Sequence, residues 1–183
     1  MTKRSFIVVG GGAVGLAAAY RILERYPGAA LTLLEKEPAV CRHQTGNNSG
    51  VLHCGLAYRP GTEKARLAVR GIRQITEFCA RHGVRHEICG KLVVATKDEQ
   101  VPRLHDLLER GTANGLKDLE ILPPEGMREI EPHVAGVAGL RVPEEGIVDY
   151  PAYCETLARL IEEAGGRVVV NAGVTGLRQS GGG

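Results

Sequence analysis

The run Ile7-Val8-Val9-Gly10-Gly11-Gly12-Ala13-Val14-Gly15 has the residue types and spacing to hold a pyrophosphate. An apolar strand ends in Gly10-x-Gly12-x-x-Gly15, an alanine-rich helical stretch follows, and a second apolar strand, Leu31-Thr32-Leu33-Leu34, closes on Glu35. Gly10 makes the strand-to-helix turn, Gly12 lets the pyrophosphate approach the backbone, and Gly15 lets helix and strand pack closely. The N–H groups of the first helical turn, around Ala13 and Val14, hold the phosphates with the help of the helix dipole. Glu35, followed by Lys36, is placed to accept hydrogen bonds from the adenosine ribose hydroxyls, which argues against a 2′-phosphate there. Glycines alone would be weak evidence, because a positive φ is needed in many turns. Strand, turn, helix, strand and acid in this order specify an adenine dinucleotide site.

The elements that position these residues can be read along the chain. A strand over 5–10 leads into a helix over 13–25 with too many apolar positions for a single stripe, so it is buried against a sheet; Tyr26-Pro27-Gly28 ends it. A strand over 30–35 follows. Residues 38–60 then form a long connection centred on Thr45-Gly46-Asn47-Asn48-Ser49-Gly50, and long irregular segments inside a compact domain tend to be functional. Thr62 caps a helix to about His82, with Ala65, Ala68, Val69, Ile72, Ile75 and Cys79 on one face. Strands are expected at 84–89 and 91–96. Asp98 is expected to cap a helix with Val101, Leu104, Leu107 and Leu108 inward, stopping at Asn114-Gly115. A strand over 119–122, a short helix from Pro123-Pro124, strands at 137–142 and 146–149, and a helix from Pro151 to Gly165-Gly166 follow. Arg167-Val168-Val169-Val170 reads as a strand, and 174–177 as a weaker one.

Composition bounds the function. Of 183 residues, 43% are apolar and 24% charged, near globular averages, and a net charge of +2 gives no field for nucleic acid or a membrane surface. Small-molecule partners are expected. Lys3-Arg4 followed by an apolar run resembles a secretory signal, but three glycines interrupt it and cleavage would remove the turn that Glu35 serves. No stretch is long and apolar enough to span a bilayer. The five cysteines, Cys41, Cys54, Cys79, Cys89 and Cys154, are scattered without a C-x-x-C pair, which suits thiols in a reducing cytoplasm better than disulfides or zinc.

Further segments carry a resemblance: His43-Gln44-Thr45-Gly46-Asn47-Asn48-Ser49-Gly50-Val51-Leu52-His53-Cys54-Gly55, Tyr58-Arg59-Pro60-Gly61-Thr62-Glu63-Lys64-Ala65, Gly90 to Thr96, and Gly146-Ile147-Val148-Asp149-Tyr150. With the opening fingerprint they resemble the FAD-dependent oxidoreductases of the D-amino-acid-oxidase superfamily, and within it the L-2-hydroxyglutarate oxidase/dehydrogenase family. The resemblance implies an α/β fold: a Rossmann-like FAD-binding domain with a parallel sheet, formed by 1–82 and 150–183, with an inserted α+β segment of a substrate-binding domain over 83–149. It implies FAD as cofactor, oxidation of a 2-hydroxy dicarboxylate to a 2-oxo acid, and oxygen or a quinone as electron acceptor. It implies a cytoplasmic protein and leaves peripheral contact with the inner membrane open. Amino acids and glycerol 3-phosphate are the alternative substrates within the superfamily, and an inactive FAD-binding fragment is the alternative from another class.

By similarity, Thr45, Asn48, Ser49 and Gly50, with Val51 and Leu52, lie along the pyrophosphate and flavin edge, where small polar groups meet anionic oxygens without bulk. Val174, on the expected strand after Gly173, contacts the adenine through its backbone. His53 falls near the isoalloxazine. It is either the base for the substrate hydroxyl, a role suited to an imidazole, or a group that only hydrogen-bonds the flavin or fills space. His43 is expected to order Thr45, whereas Lys64 and Arg59 at a helix start, and Lys91 at a strand start, read as solvated cations, with attraction of a dicarboxylate as the alternative. Cys54 is no nucleophile, since hydride transfer to flavin needs no covalent cysteine intermediate. Family members run to roughly twice this length, so the chain is expected to be the N-terminal half, stopping at Ser180-Gly181-Gly182-Gly183 in a hairpin turn.

Overall fold

The computed structural model describes residues 4–179. In chain order the elements begin β1 (Ser5–Val9), α1 (Ala13–Arg25), β2 (Ala30–Leu34), β3 (Val51–Leu52) and α2 (Glu63–His82). They continue β4 (His86–Glu87), β5 (Lys91–Ala95), α3 (Val101–Ala113), β6 (Glu120–Leu122) and α4 (Pro124–Ile130). The last are β7 (Ala138–Val142), β8 (Gly146–Val148), α5 (Tyr150–Glu163) and β9 (Arg167–Val169). They form two compact units, one from Met1–Ser49 with Asp149–Gly183, the other from Gly50–Val148.

The first unit is built on a parallel sheet of order β1-β2-β9. Parallel neighbours need a crossover, and α1 supplies the one between β1 and β2. Phe6 pairs with Leu31 and Val8 with Leu33, so these four share one face by the period of two along a strand. Leu31 and Leu33 are buried, as are Leu16, Ala19 and Leu23 of α1 and Cys154, Leu157 and Ile161 of α5, each helix offering an i, i+3, i+7 stripe. Ile7 and Val9, on the opposite face, are exposed. Asp149 caps α5 by accepting from Ala152 N at 3.0 Å.

The second unit holds two antiparallel sheets, β3-β8-β4 and β5-β7-β6. Helices α3 and α4 pack on the latter, where Leu104, Met127, Leu140 and Val142 are buried; Met127 lies against Gly139, on the face of β7 opposite Leu140 and Val142. Thr62 caps α2 as expected, accepting from Ala65 N at 3.3 Å. Asn114, at the end of α3, donates through Nδ2 to Gly55 O (3.1 Å) and Tyr58 O (2.9 Å), tying down the loop that follows β3.

Several expectations are corrected. Asp98 does not cap an α-helix; residues 98–100 form a single 3₁₀ turn, and Gln100 turns back so that its Oε1 accepts from Thr96 N at 2.8 Å. The strand expected at 84–89 shrinks to His86–Glu87, the stretch that pairs with β8. No strand forms at 174–177. Asn171 takes a φ of 54° and Ala172 N bonds to Glu35 O at 2.7 Å, which turns the chain out of the sheet before 174 can find a ladder partner. Helix α2 belongs to the second compact unit, which begins at Gly50, whereas the sequence placed the change at 82/83. The expected hairpin turn at 180–183 lies outside the described residues.

Candidate functional site

In the first unit the fingerprint forms a cradle. Gly10 has a φ of 106°, a region closed to most side chains, and its N–H is held by Leu34 O at 2.8 Å. A Cβ on Gly15 would lie 2.0 Å from Gly10 O, so only glycine lets α1 start this close to β1. Gly12 is the N-cap of α1 and offers no side-chain cap, and the first turn holds no acid. Its N–H groups are therefore left for an external anion, apart from Ala13 N, which meets Thr45 Oγ1 at 3.2 Å. Val14, in the same turn, is highly exposed.

Glu35 is 7% exposed and folded under this turn: Oε2 accepts from Gly11 N at 2.5 Å and Oε1 from Glu37 N at 2.9 Å. Burial pushes its carboxyl up, but the Glu37 and Gly11 N–H donors and the nearby His43 outweigh that and hold it below its ordinary value. A depressed folded value stabilises the fold above the unfolded pKa of about 4.5, and that stability is lost as pH falls through the folded value. Urea unfolding of wild type and Glu35→Gln at a series of pH values should thus give curves that differ at neutral pH and converge below it. A gap that persists undiminished in acid would contradict this.

The loop after β2 folds on itself. His43 does not order Thr45 through its ring, which sits 2.7 Å from Glu37 Oε1; its carbonyl does so instead, accepting from Gly46 N at 3.1 Å and Asn47 Nδ2 at 2.8 Å. Asn48 Nδ2 donates to Thr45 O at 2.8 Å. Lys36 Nζ lies 3.4 Å from Glu37 Oε1. Gly173 passes close to Lys36, since a Cβ there would be 3.7 Å from the Lys36 Cβ, so Val174 follows a segment tied to the Glu35 end of β2. Ser49 closes this stretch of the first unit, while Gly50, Val51, Leu52 and His53 fall in the second.

A second cluster, within the second unit, was not legible in the sequence. Glu145, in the turn between β7 and β8, has a side chain only 3% exposed. Lys91 Nζ is 2.6 Å from its Oε2, His53 Nδ1 is 3.5 Å from the same oxygen, and Cys54 Sγ is 3.5 Å from Oε1. Lys91 is thus not the solvated strand-start cation the sequence suggested. Burial, and then the Glu145 charge, push the Cys54 thiol up to about 12, which agrees with its reading as no nucleophile. Lys64, by contrast, sits over the Tyr58 ring at 4.5 Å. His53, Tyr58, Lys91, Arg103, Leu107 and Glu145 line a cavity of about 320 Å³.

A family model described as FAD dependent oxidoreductase (DAO) matches residues 5–183. The chain belongs to that family. It is 47% identical over 162 residues to a protein named L-2-hydroxyglutarate dehydrogenase from Indibacter alkaliphilus, covering 88% of this chain and 41% of the relative. It is 41% identical over 174 residues to the protein of the same name from Escherichia coli strain K12, covering 95% of this chain and 41% of that one. The chain thus spans well under half the length of these relatives. Among solved structures, dithionite-reduced L-alpha-glycerophosphate oxidase from Mycoplasma pneumoniae with FAD bound aligns with a TM-score of 0.87 at 28% identity, over 96% of this chain and 46% of that one.

The cradle fits the cofactor of this FAD-dependent family. A Cβ at Gly10 would meet nothing within 4 Å, leaving the turn open toward a ligand, and the uncapped start of α1 is short of anionic partners. Glu35 retains acceptor capacity beyond its two backbone bonds, since an ionised carboxylate has about four lone-pair sites. No helix among the described residues is long and apolar enough to cross a membrane, and no group of His, Cys, Asp and Glu among them could hold a metal ion.

Sequence reasoning missed Glu145 because Glu144-Glu145 before a glycine reads as a solvated turn. Its burial makes the pair with Lys91 measurable. Removing one partner of a buried ion pair costs about 3–5 kcal/mol. Lys91 is 35% exposed, so water discounts this, and Lys91→Met is expected to destabilise the fold by about 2 kcal/mol. Lys91→Met with Glu145→Gln should recover most of that loss in chemical denaturation; a double variant as unstable as the sum of its singles would show that the two side chains act independently.

Proposed function

We propose that this chain carries the cofactor cradle and part of the substrate site of an FAD-dependent oxidoreductase that converts L-2-hydroxyglutarate to 2-oxoglutarate. The observation that carries the reading is the 47% identity to a relative named L-2-hydroxyglutarate dehydrogenase, spread over nearly the whole chain. In this reading the first unit binds FAD and the second contributes to the substrate site.

Gly10, Gly12 and Gly15 shape the bed for the pyrophosphate, and the N–H groups at the start of α1 hold it. Glu35 takes the ribose hydroxyls, and the backbone at Val174 meets the adenine. Thr45, Asn48, Ser49 and Gly50 supply small polar contacts further along the cofactor, with Val51 and Leu52 beside them. Bound FAD supplies the acceptor for the hydrogen that leaves C2 with its electron pair. His53 takes the hydroxyl proton, which turns the C2–O bond toward a carbonyl as C2 is oxidised. Arg103, on the same cavity as His53, brings positive charge suited to a dicarboxylate. Oxygen or a quinone would serve as the electron acceptor of the loaded enzyme. We place the protein in the cytoplasm, with peripheral contact at the inner membrane when a quinone is the acceptor.

The test is anaerobic absorbance in the flavin band of the FAD-reconstituted protein, before and after L-2-hydroxyglutarate. Bleaching is the expected result. Bleaching by L-glycerol 3-phosphate alone would favour a second reading, suggested by the glycerophosphate oxidase neighbour. A protein that stays colourless after reconstitution, or yellow with both substrates, would overturn the assignment for this chain.

A further inference from the structure

The carboxylate of Glu145 is the buried charge that the proposed chemistry leaves without a task. Its place is tightly determined. A Cβ on the next residue, Gly146, would lie 2.3 Å from Glu87 O, so β8 approaches β4 as only glycine allows, and Gly90 N donates to Glu145 O at 2.8 Å. The chain therefore points an acid inward, where a lone ion pair is weak support for stability.

The partners of the two oxygens differ. Oε1 accepts from the Cys54 thiol, while Oε2 is fully buried and has no aligned hydrogen-bond donor among the described residues. Lys91 Nζ is 2.6 Å from Oε2, yet off the line of a hydrogen bond, so charge holds that pair. The remaining group at this oxygen is His53 Nδ1, 3.5 Å away on a side chain 60% exposed. A small ring rotation closes that distance, and such contacts often tighten only once substrate is bound.

We propose that Glu145 is the positioning residue for His53: it accepts the Nδ1–H and leaves Nε2 unprotonated as the proton acceptor, while Lys91 offsets the carboxylate charge. An imidazole held this way keeps one tautomer and one orientation, and its cation is stabilised by the carboxylate once the proton has moved. Only a proton is transferred, from the substrate hydroxyl to Nε2. Cys54, Tyr58, Lys91 and Arg103 are the other polar groups around this ring, and Lys91 and Arg103 bring the only other formal charges to its cavity among the described residues. The inference rests on the reading of His53 as the base.

Nitrogen-15 NMR of the His53 ring in the FAD-loaded protein tests it without turnover. The expected neutral form is Nδ1–H; an Nε2–H tautomer in the wild type would overturn the proposal. In Glu145→Gln the amide oxygen turns to Lys91 and its NH₂ toward Nδ1, so the tautomer should invert, and kcat should fall roughly 10- to 100-fold with KM nearly unchanged. Glu145→Asp should keep the wild-type tautomer and part of the rate. An unchanged tautomer and kcat in Glu145→Gln would also overturn it. Should His53→Gln keep full activity while Glu145 still sets the tautomer, the base assignment fails and the pairing stands, so the two failures are distinguishable.

Discussion

His53→Gln is expected to lower the rate of flavin reduction by L-2-hydroxyglutarate about 10²- to 10⁴-fold, the usual contribution of a positioned general base. The side chain is 60% exposed, so its replacement should cost little stability, within about 0.5 kcal/mol. Loss of rate without loss of yellow colour or of the unfolding midpoint would then report chemistry rather than folding. His53→Ala should recover part of its rate on addition of free imidazole, which can occupy the vacated space. A His53→Gln protein that reduces its flavin at the wild-type rate would leave His53 as a flavin contact or a filler, the alternative that its sequence position left open.

Gly15→Ala is expected to disable the cofactor cradle. The new Cβ would lie 2.0 Å from Gly10 O, and neither atom can yield cheaply, because Gly10 N is bonded to Leu34 O at 2.8 Å and Gly10 already occupies a positive φ. Relief requires α1 to move away from β1, which separates the helix start from the turn and opens the packing of Leu16 and Ala19. Overpacking of this kind costs about 3 kcal/mol, equivalent to roughly 100-fold in FAD affinity if it falls on the cofactor-binding form alone. Flavin fluorescence titration and thermal unfolding check it, with a drop of about 10 °C expected in Tm. Gly71→Ala is the control: it lies inside α2 with open space at its Cβ, and should stabilise by up to about 1 kcal/mol. A Gly15→Ala protein that binds FAD like wild type would show that the close approach of α1 to β1 is not needed for the cradle.

The two variants probe opposite kinds of legibility. Gly15 could be read from spacing, because its demand is local: a strand, a tight turn and a helix start lie within a dozen residues, and the sterics of that turn admit few alternatives. The same locality made Thr62 readable as the start of α2, and Asn114 as the stop of α3. Where the outcome depended on a distant partner, local reading failed. Residues 174–177 have strand-like composition but no ladder neighbour, and the bend at Asn171 removes them from the sheet. Asp98 looks like a helix cap, yet Gln100 reaching back to Thr96 gives the first turn a tighter 3₁₀ form.

The sequence by itself determined the dinucleotide fingerprint, the acid that closes β2, the α/β alternation around it and the kinship with FAD-dependent oxidoreductases, since these reside in short-range spacing and in segments that resemble known relatives. Only the tertiary structure decided which charges leave water. Glu145 and Lys91 are 54 positions apart and each looks solvated in its own segment; the antiparallel pairing of β5 with β7, and of β3 with β8, brings them and His53 together around one buried carboxylate. Burial is a property of the packed chain, and the cost of a buried charge is what turns that meeting of side chains into a site.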